Sequence, residues 1–301
     1  MASREGKLIC RRATHAGSWY QSDARSLDNE LTQWLNQAEL TLSPARAIIS
    51  PHAGYRFCGA TAAFAFKQII PESVKRVFIL GPSHHVYLTG CGITPAEVYQ
   101  TPLYDLKIDT EVIDVLIKTG EFKRLDLSVD EEEHSIEMQL SFIAKVMESK
   151  KSSFTLVPIM VGELKGDKGI QYGKILSPYL ENPDNLFVIS SDFCHWGSRF
   201  RFTYYDKKCG DIYQSIESLD KMGMDIIESL NAESFIEYLS QYGNTICGRN
   251  PITLLLHTFE CIRARRILPN SKLKFLHYSQ SSQVKDLSDS SVSYAAGVLT
   301  F

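Results

Sequence analysis

Four short apolar runs, rich in β-branched residues, constrain this chain more than any other feature. They are Ala47–Ser50 (A-I-I-S), Val77–Leu80 (V-F-I-L), Phe154–Val161 (F-T-L-V-P-I-M-V) and Leu186–Ser190 (L-F-V-I-S). Each is apolar throughout instead of alternating, and each is bounded by breaker residues, which is the pattern of a strand buried on both faces. Such a sheet needs helices over both faces, and the intervening sequence has helical spacing. Ser135–Met147 sets Ile136, Leu140, Ile143 and Met147 on one helical face. Ala60–Ile70, Ile170–Leu180, Asp211–Leu230, Ala232–Gln241 (behind Asn231 as N-cap) and Ile252–Arg266 read as further helices. Leu273–Ser279 and Val292–Phe301 return to strand character. The expectation is one α/β domain over 1–301, with a central mainly parallel or mixed sheet flanked by helices.

Three of the runs lead straight into imidazole. Ala47–Ser50 continues into P-H-A-G-Y with His52, and Val77–Leu80 into G-P-S-H-H with His84 and His85. Leu186–Ser190 continues into S-D-F-C-H-W-G with Asp192, Cys194 and His195. Ligands of open α/β sheets sit outside the carboxyl ends of the strands, so parallel strands would converge these loops on one pocket. Two histidines and a carboxylate hold non-haem iron, whereas two histidines and a thiolate suit Cu(I), Zn(II) or Fe(II). A metal-free His–Asp pair could instead act as base and orienter, or bind an anion. Cys247, in N-T-I-C-G-R-N-P between two expected helices, is the candidate thiol, and Arg249 beside it offers charge to lower its pKa and a fork for phosphate or carboxylate.

The remaining polar features read as structural. V-D-E-E-E-H at 129–134 precedes a helix and is assigned to offsetting its dipole, with His134 opening the helix. His15 sits in T-H-A-G-S-W-Y, His257 within a helix and His277 within a strand. R-A-R-R at 263–266 reads as a solvated helix end. A net charge of −3 argues against nucleic-acid binding, no apolar run approaches a membrane span, and Met1–Arg12 has no apolar core resembling a signal peptide. Seven cysteines without framework spacing read as reduced thiols, which predicts a cytoplasmic protein with nuclear residence left open. A monomer is the default expectation.

Taken together, P-H-A-G-Y, L-G-P-S-H-H, T-P-L-Y-D-L, D-E-E-E-H-S-I-E-M-Q-L, S-S-D-F-C-H-W-G, S-I-E-S-L-D-K-M-G-M, N-T-I-C-G-R and S-S-V-S-Y-A-A-G resemble the Memo family, mediators of ErbB2-driven cell motility. The resemblance runs from H-A-G-S-W-Y at 15–20 to the C-terminal strand. It implies a fold similar to the class III extradiol dioxygenases. It also implies His52, His84 and Cys247 as metal-binding positions for copper(I) or iron(II), with Asp192 and His195 lining the same cleft. A thiol where those enzymes place a carboxylate argues against ring cleavage and leaves turnover of any substrate open. The resemblance further implies redox-linked chemistry and a role in receptor tyrosine kinase signalling to the cytoskeleton. The expected partners are a phosphotyrosine-bearing receptor tail or signalling adaptor and Rho-pathway or cytoskeletal regulators. The alternative is a metal-independent phosphotyrosine-peptide adaptor on a vestigial cleft, with Trp19 as an aromatic wall.

Overall fold

The structure is a computed structural model that describes residues 8–301 except 267 and 269. The first seven residues of the Met1–Arg12 segment discussed above lie outside the described residues. In chain order the first strands are β1 (Cys10–Arg11), β2 (Ala47–Ser50), β3 (Arg76–Pro82), β4 (Cys91–Ile93), β5 (Val98–Tyr99) and β6 (Leu106–Lys107). They are followed by β7 (Phe122–Arg124), β8 (Thr155–Val161), β9 (Asn185–Ser190), β10 (His195–Trp196), β11 (Lys272–Gln280) and β12 (Ser291–Thr300). The helices are α1 (Ala24–Gln37), α2 (Tyr55–Phe66), α3 (Thr110–Lys118), α4 (Leu127–Glu132) and α5 (His134–Val146), then α6 (Lys168–Glu181), α7 (Ile212–Glu228), α8 (Ala232–Tyr242) and α9 (Arg249–Arg263).

The main sheet runs β10-β12-β2-β9-β3-β8-β4-β7, with β11 paired to β12, and β1, β5 and β6 form a separate small sheet. All four apolar runs are its centre: β2, β9, β3 and β8 are mutually parallel neighbours. β12 and β4 join on either side antiparallel, so the sheet is mixed. Residues of the central strands are almost wholly buried because α2 and α5 lie on the sheet together with α6 and α9. The domain is therefore mixed α/β with helices flanking the sheet. No helix among the described residues is long and apolar enough to cross a membrane.

Two differences from the sequence reading bear on the site. α2 starts at Tyr55 rather than Ala60, with Gly54 as its N-cap, directly behind His52. α9 starts at Arg249 rather than Ile252, with Pro251 inside its first turn, where proline's missing N–H costs nothing. Cys247 thus stands in the α8–α9 loop, two residues ahead of a helix.

The segment after β1 is clasped to α4 and α5 by a buried ionic cluster. Arg11, fully buried, donates to Glu137 Oε2 at 2.8 Å and to the carbonyls of Asp130 and Glu133 at 2.9 Å each. Glu137 also accepts from His15 N at 2.8 Å and from the Tyr20 hydroxyl at 2.8 Å. Burial pushes the Glu137 carboxyl up, but the His15 hydrogen bond and the Arg11 charge outweigh it and bring it to about 2. Its contribution is therefore present above the ordinary carboxylate value of ~4.3 and is lost as pH falls from there through about 2. Removing one member of a buried pair strands the other. Glu137→Ala is expected to cost about 3–5 kcal/mol in urea unfolding at neutral pH, shrinking as the pH approaches 2. A loss under about 1 kcal/mol would remove the clasp from what holds this segment down.

Candidate metal centre

Each strand-end histidine is placed where its strand runs out of ladder partners. β2 ends at Ser50 and turns through Pro51 into buried His52, whose backbone N–H is taken by Asp192 Oδ1 at 2.8 Å. β3 ends at Pro82, and Glu133 accepts both the backbone N–H of His84 at 2.6 Å and its ring Nδ1 at 2.9 Å. β9 ends at Ser190 and continues into Asp192 and His195. A fourth imidazole comes from a helix: His134 opens α5 and stacks on His84 with 4.5 Å between ring centroids.

The hydrogen bonds decide the tautomers. Ser190 Oγ gives its single proton to Ser135 O at 2.6 Å, so His52 Nδ1, 2.7 Å away, is the donor and Nε2 a bare lone pair. The ionised Glu133 can only accept, so His84 Nδ1 is the donor and Nε2 is the nitrogen left to face an ion. His195 is turned the same way, its Nδ1 donating to Phe193 O at 2.9 Å and Thr245 O at 3.2 Å. One ligand atom from each of His52, His84 and His134 lies within 4.8 Å of the other two. Two nitrogens at ~2.1 Å from one ion stand at most ~4.2 Å apart, so small ring rotations close this set.

Two of the three imidazoles, His52 and His134, are held neutral. Burial takes His52 well below the ordinary imidazole value, with His84, His134 and His195 adding to it. His134 is brought down to about 3 by burial and then by His84, against the pull of Glu133. Burial pushes Glu133 up, yet the hydrogen bond and charge of His84 outweigh it and bring its carboxyl to about 2. Neutral imidazole with its second nitrogen on a carboxylate is the form in which histidine binds metals. The donor set fits an ion: three imidazoles suit Zn(II), iron or copper, and a soft thiol beside them shifts the preference towards copper(I).

That thiol is Cys247. Its Sγ lies 3.0 Å from His52 Nε2 and accepts from Asp192 N at 3.2 Å, but it stands outside the three-imidazole convergence. The loops meet closely here: a Cβ on Gly248 would come within 2.2 Å of the Ser191 Cβ. Arg249 does not lower the thiol pKa as expected from the sequence. It is exposed at the first position of α9, while burial, reinforced by Asp192, pushes Cys247 well above its ordinary value. Asp192 is buried as well, and burial raises its carboxyl against the pull of His195.

His134 is the residue that sequence reasoning passed over, because its acidic neighbours were assigned to capping. Glu133 does cap α5, accepting Ser135 N at 2.9 Å, but the same carboxylate grips His84, and Asp130 is buried against Arg11 instead of solvated. Trp19 lies over His134 at 4.5 Å and is 37% exposed, and His85 is exposed with its ring 6.0 Å from His134. Away from the centre, His257 pairs with Glu260 and His277 stacks on Phe64. Arg265 and Arg266 pair with Glu181.

Residues 11–298 match the family described as Memo-like protein. The chain is similar to Protein MEMO1 of Danio rerio, 57% identical over 293 residues that cover 97% of this chain and 98% of that one. Protein MEMO1 of Homo sapiens is 54% identical, covering 98% of each chain. The memo-1 homolog of Caenorhabditis elegans is 53% identical, covering 96% of this chain and 82% of its own. Among solved structures, an uncharacterised protein of Escherichia coli K12 superposes with a TM-score of 0.47 and 12% identity, covering 83% of this chain and 98% of that one.

Because Glu133 orients His84, Glu133→Gln is expected to lower Co(II) or Zn(II) affinity by ~10–100-fold in a competition titration, with the circular dichroism unchanged. Wild-type affinity in this variant would free His84 from any dependence on the carboxylate.

Proposed function

The chain belongs to the Memo family, and from that premise we propose that it is a metal-binding, redox-linked protein whose ion is copper(I) or iron(II). The observation that carries this reading is the convergence of the His52, His84 and His134 nitrogens, with the Cys247 sulfur 3.0 Å from His52 Nε2. His52 and His84 are common to two possible ligand sets. His134 completes one of three nitrogens, and Cys247 completes one of two nitrogens and a sulfur. When bound, copper or iron would supply one-electron chemistry; the converging imidazole nitrogens and the Cys247 sulfur are the groups that would hold the ion.

On the biological side the reading is signalling from receptor tyrosine kinases to the cytoskeleton, with a phosphotyrosine-bearing receptor tail or adaptor and Rho-pathway regulators as partners. Its support is the family resemblance. The described cysteines are all free, in keeping with a reducing compartment such as the cytoplasm, with the nucleus left open. A second reading, a phosphotyrosine-peptide adaptor independent of metal, draws support from one observation. A cleft of about 410 Å³ adjoins the centre through Trp19 and is lined by Tyr20, Tyr55 and Phe57 with Arg56 and one carboxylate, Glu30. Aromatic faces and a guanidinium suit a phosphorylated ring.

Anaerobic calorimetry with copper(I) and Co(II), as a stand-in for iron(II), on Cys247→Ser and His134→Ala tests the first reading. Cys247→Ser is expected to weaken copper(I) by at least ~10-fold, and His134→Ala to weaken Co(II) more than copper(I). Undiminished affinity for both ions in both variants would end it. For the second reading, a phosphotyrosine peptide should bind the chelator-treated protein and lose that binding in Arg56→Ala; no binding at millimolar peptide removes it.

A further inference from the structure

We propose that Asp220 is the positioning residue behind the centre: a buried carboxylate on α7 that ties the loop carrying His195 to the loop carrying Cys247 and sets their placement by its ionisation. The consequence for metal rests on the reading above; the geometry does not.

Asp220 is fully buried, and the groups it binds lie on other elements. Oδ1 accepts Cys194 N at 3.2 Å and Asn244 Nδ2 at 3.0 Å, and Oδ2 accepts the Tyr278 hydroxyl at 2.9 Å. Cys194 precedes His195, and Asn244 stands three residues before Cys247. From that root the loops close on each other. His195 N donates to Thr245 Oγ1 at 2.8 Å, Thr245 Oγ1 donates to His195 O at 2.9 Å, and His195 Nδ1 donates to Thr245 O at 3.2 Å. Asn244 is fixed from its far side too. Its Nδ2 donates to Tyr238 Oη at 2.8 Å, and the Tyr238 proton goes to Leu219 O at 2.7 Å. The amide must therefore present its N–H₂ to the carboxylate.

No cation faces Asp220 among the described residues. The titratable side chains against it are Cys194 from the β9–β10 turn, Tyr238 of α8 and Tyr278 of β11, with neutral Asn244 and Ser293 completing the shell. Burial holds all three titratable partners above their ordinary values, hence uncharged. Burial likewise pushes Asp220 up to about 6, against hydrogen bonds from Asn244, Ser293, Tyr278 and Cys194 N. An ionised Asp220 accepts charge-assisted bonds from both loops, and a protonated one accepts weaker ones. The loops are thus held tightly above about pH 6 and loosely below it. Global stability moves the other way: a raised carboxyl contributes fully below its unfolded value and loses that contribution as pH rises through about 6.

Amide NMR of the metal-free full-length protein reads the switch directly. The Cys194 and Thr245 N–H resonances are expected to titrate together near pH 6, to stop doing so in Asp220→Asn, and to shift their midpoint upward in Tyr278→Phe, which removes one donor. At pH 7.5 Asp220→Asn should also bind copper(I) ~10-fold more weakly than wild type, a gap that closes by pH 5. Should Asp220→Asn fail to fold, the Tyr278→Phe midpoint decides. Resonances that do not titrate between pH 5 and 7, a titration that persists in Asp220→Asn, or an unmoved midpoint in Tyr278→Phe overturns the proposal. Copper(I) affinity equal to wild type at pH 7.5 in Asp220→Asn overturns it as well. If the wild type binds no copper(I) while Cys194 still titrates through Asp220, the metal reading fails and the positioning role stands.

Discussion

Parallel pairing in a fixed register is the constraint on which the rest depends. Ser50 lies beside Ser190, and Leu80 beside Ile189, so β2, β9 and β3 reach their carboxyl ends at nearly the same height. Parallel neighbours cannot be joined by tight hairpins, so each strand must leave the sheet on the same edge and return through a helix. His52 and Asp192 each stand two residues past the aligned serines, which brings both into one plane above the sheet. A slip of one residue in either pairing would turn these side chains to the opposite face. The centre is a product of register first and of side-chain chemistry second.

The buried acids around that edge fall into two kinds. Glu137 and Asp130 meet Arg11, and Glu133 meets His84, so each is compensated by a donor that carries or can carry positive charge. Asp192 and Asp220 instead accept from backbone and neutral donors; burial raises both, as it also raises Asp130. The first kind fastens the N-terminal segment and His84 rigidly. The second kind lies under the Cys247 side of the centre, where the loops are held by dipoles. His84 is therefore held on a charge-paired carboxylate, whereas His52 and the loops around Cys247 are hung on the hydrogen-bonded ones.

The sheet and the strand-end residues were legible because fully buried strands read the same from either face. All four apolar runs became neighbouring strands, and Ser135–Met147 matched α5 to within a residue. Part of what escaped had weaker local signals. β4 and β7 are three residues each; α1 and α3, by contrast, carry regular apolar stripes, Leu27, Leu31 and Leu35 and Val112, Ile113 and Leu116, that the sequence reading leaves out. His134 escaped for a different reason. Its acidic neighbours have a sufficient local explanation as caps, and only tertiary structure shows Glu133 reaching across 49 residues to His84. Likewise nothing in the sequence around Asp220 marks it, since its partners lie 24, 26 and 58 residues away.

The position of β12 has a consequence for when the protein can become competent. This strand, Ser291–Thr300, occupies the place beside β2, although β2 is made some 240 residues earlier. During synthesis the flank of the sheet next to His52 stays open until β12 has emerged, and Cys247 follows all three imidazoles of the cluster. The nascent polypeptide can therefore bring its imidazoles together before its thiol, but it cannot seal them. Until β12 pairs, the open edge of β2 is the feature most in need of a chaperone.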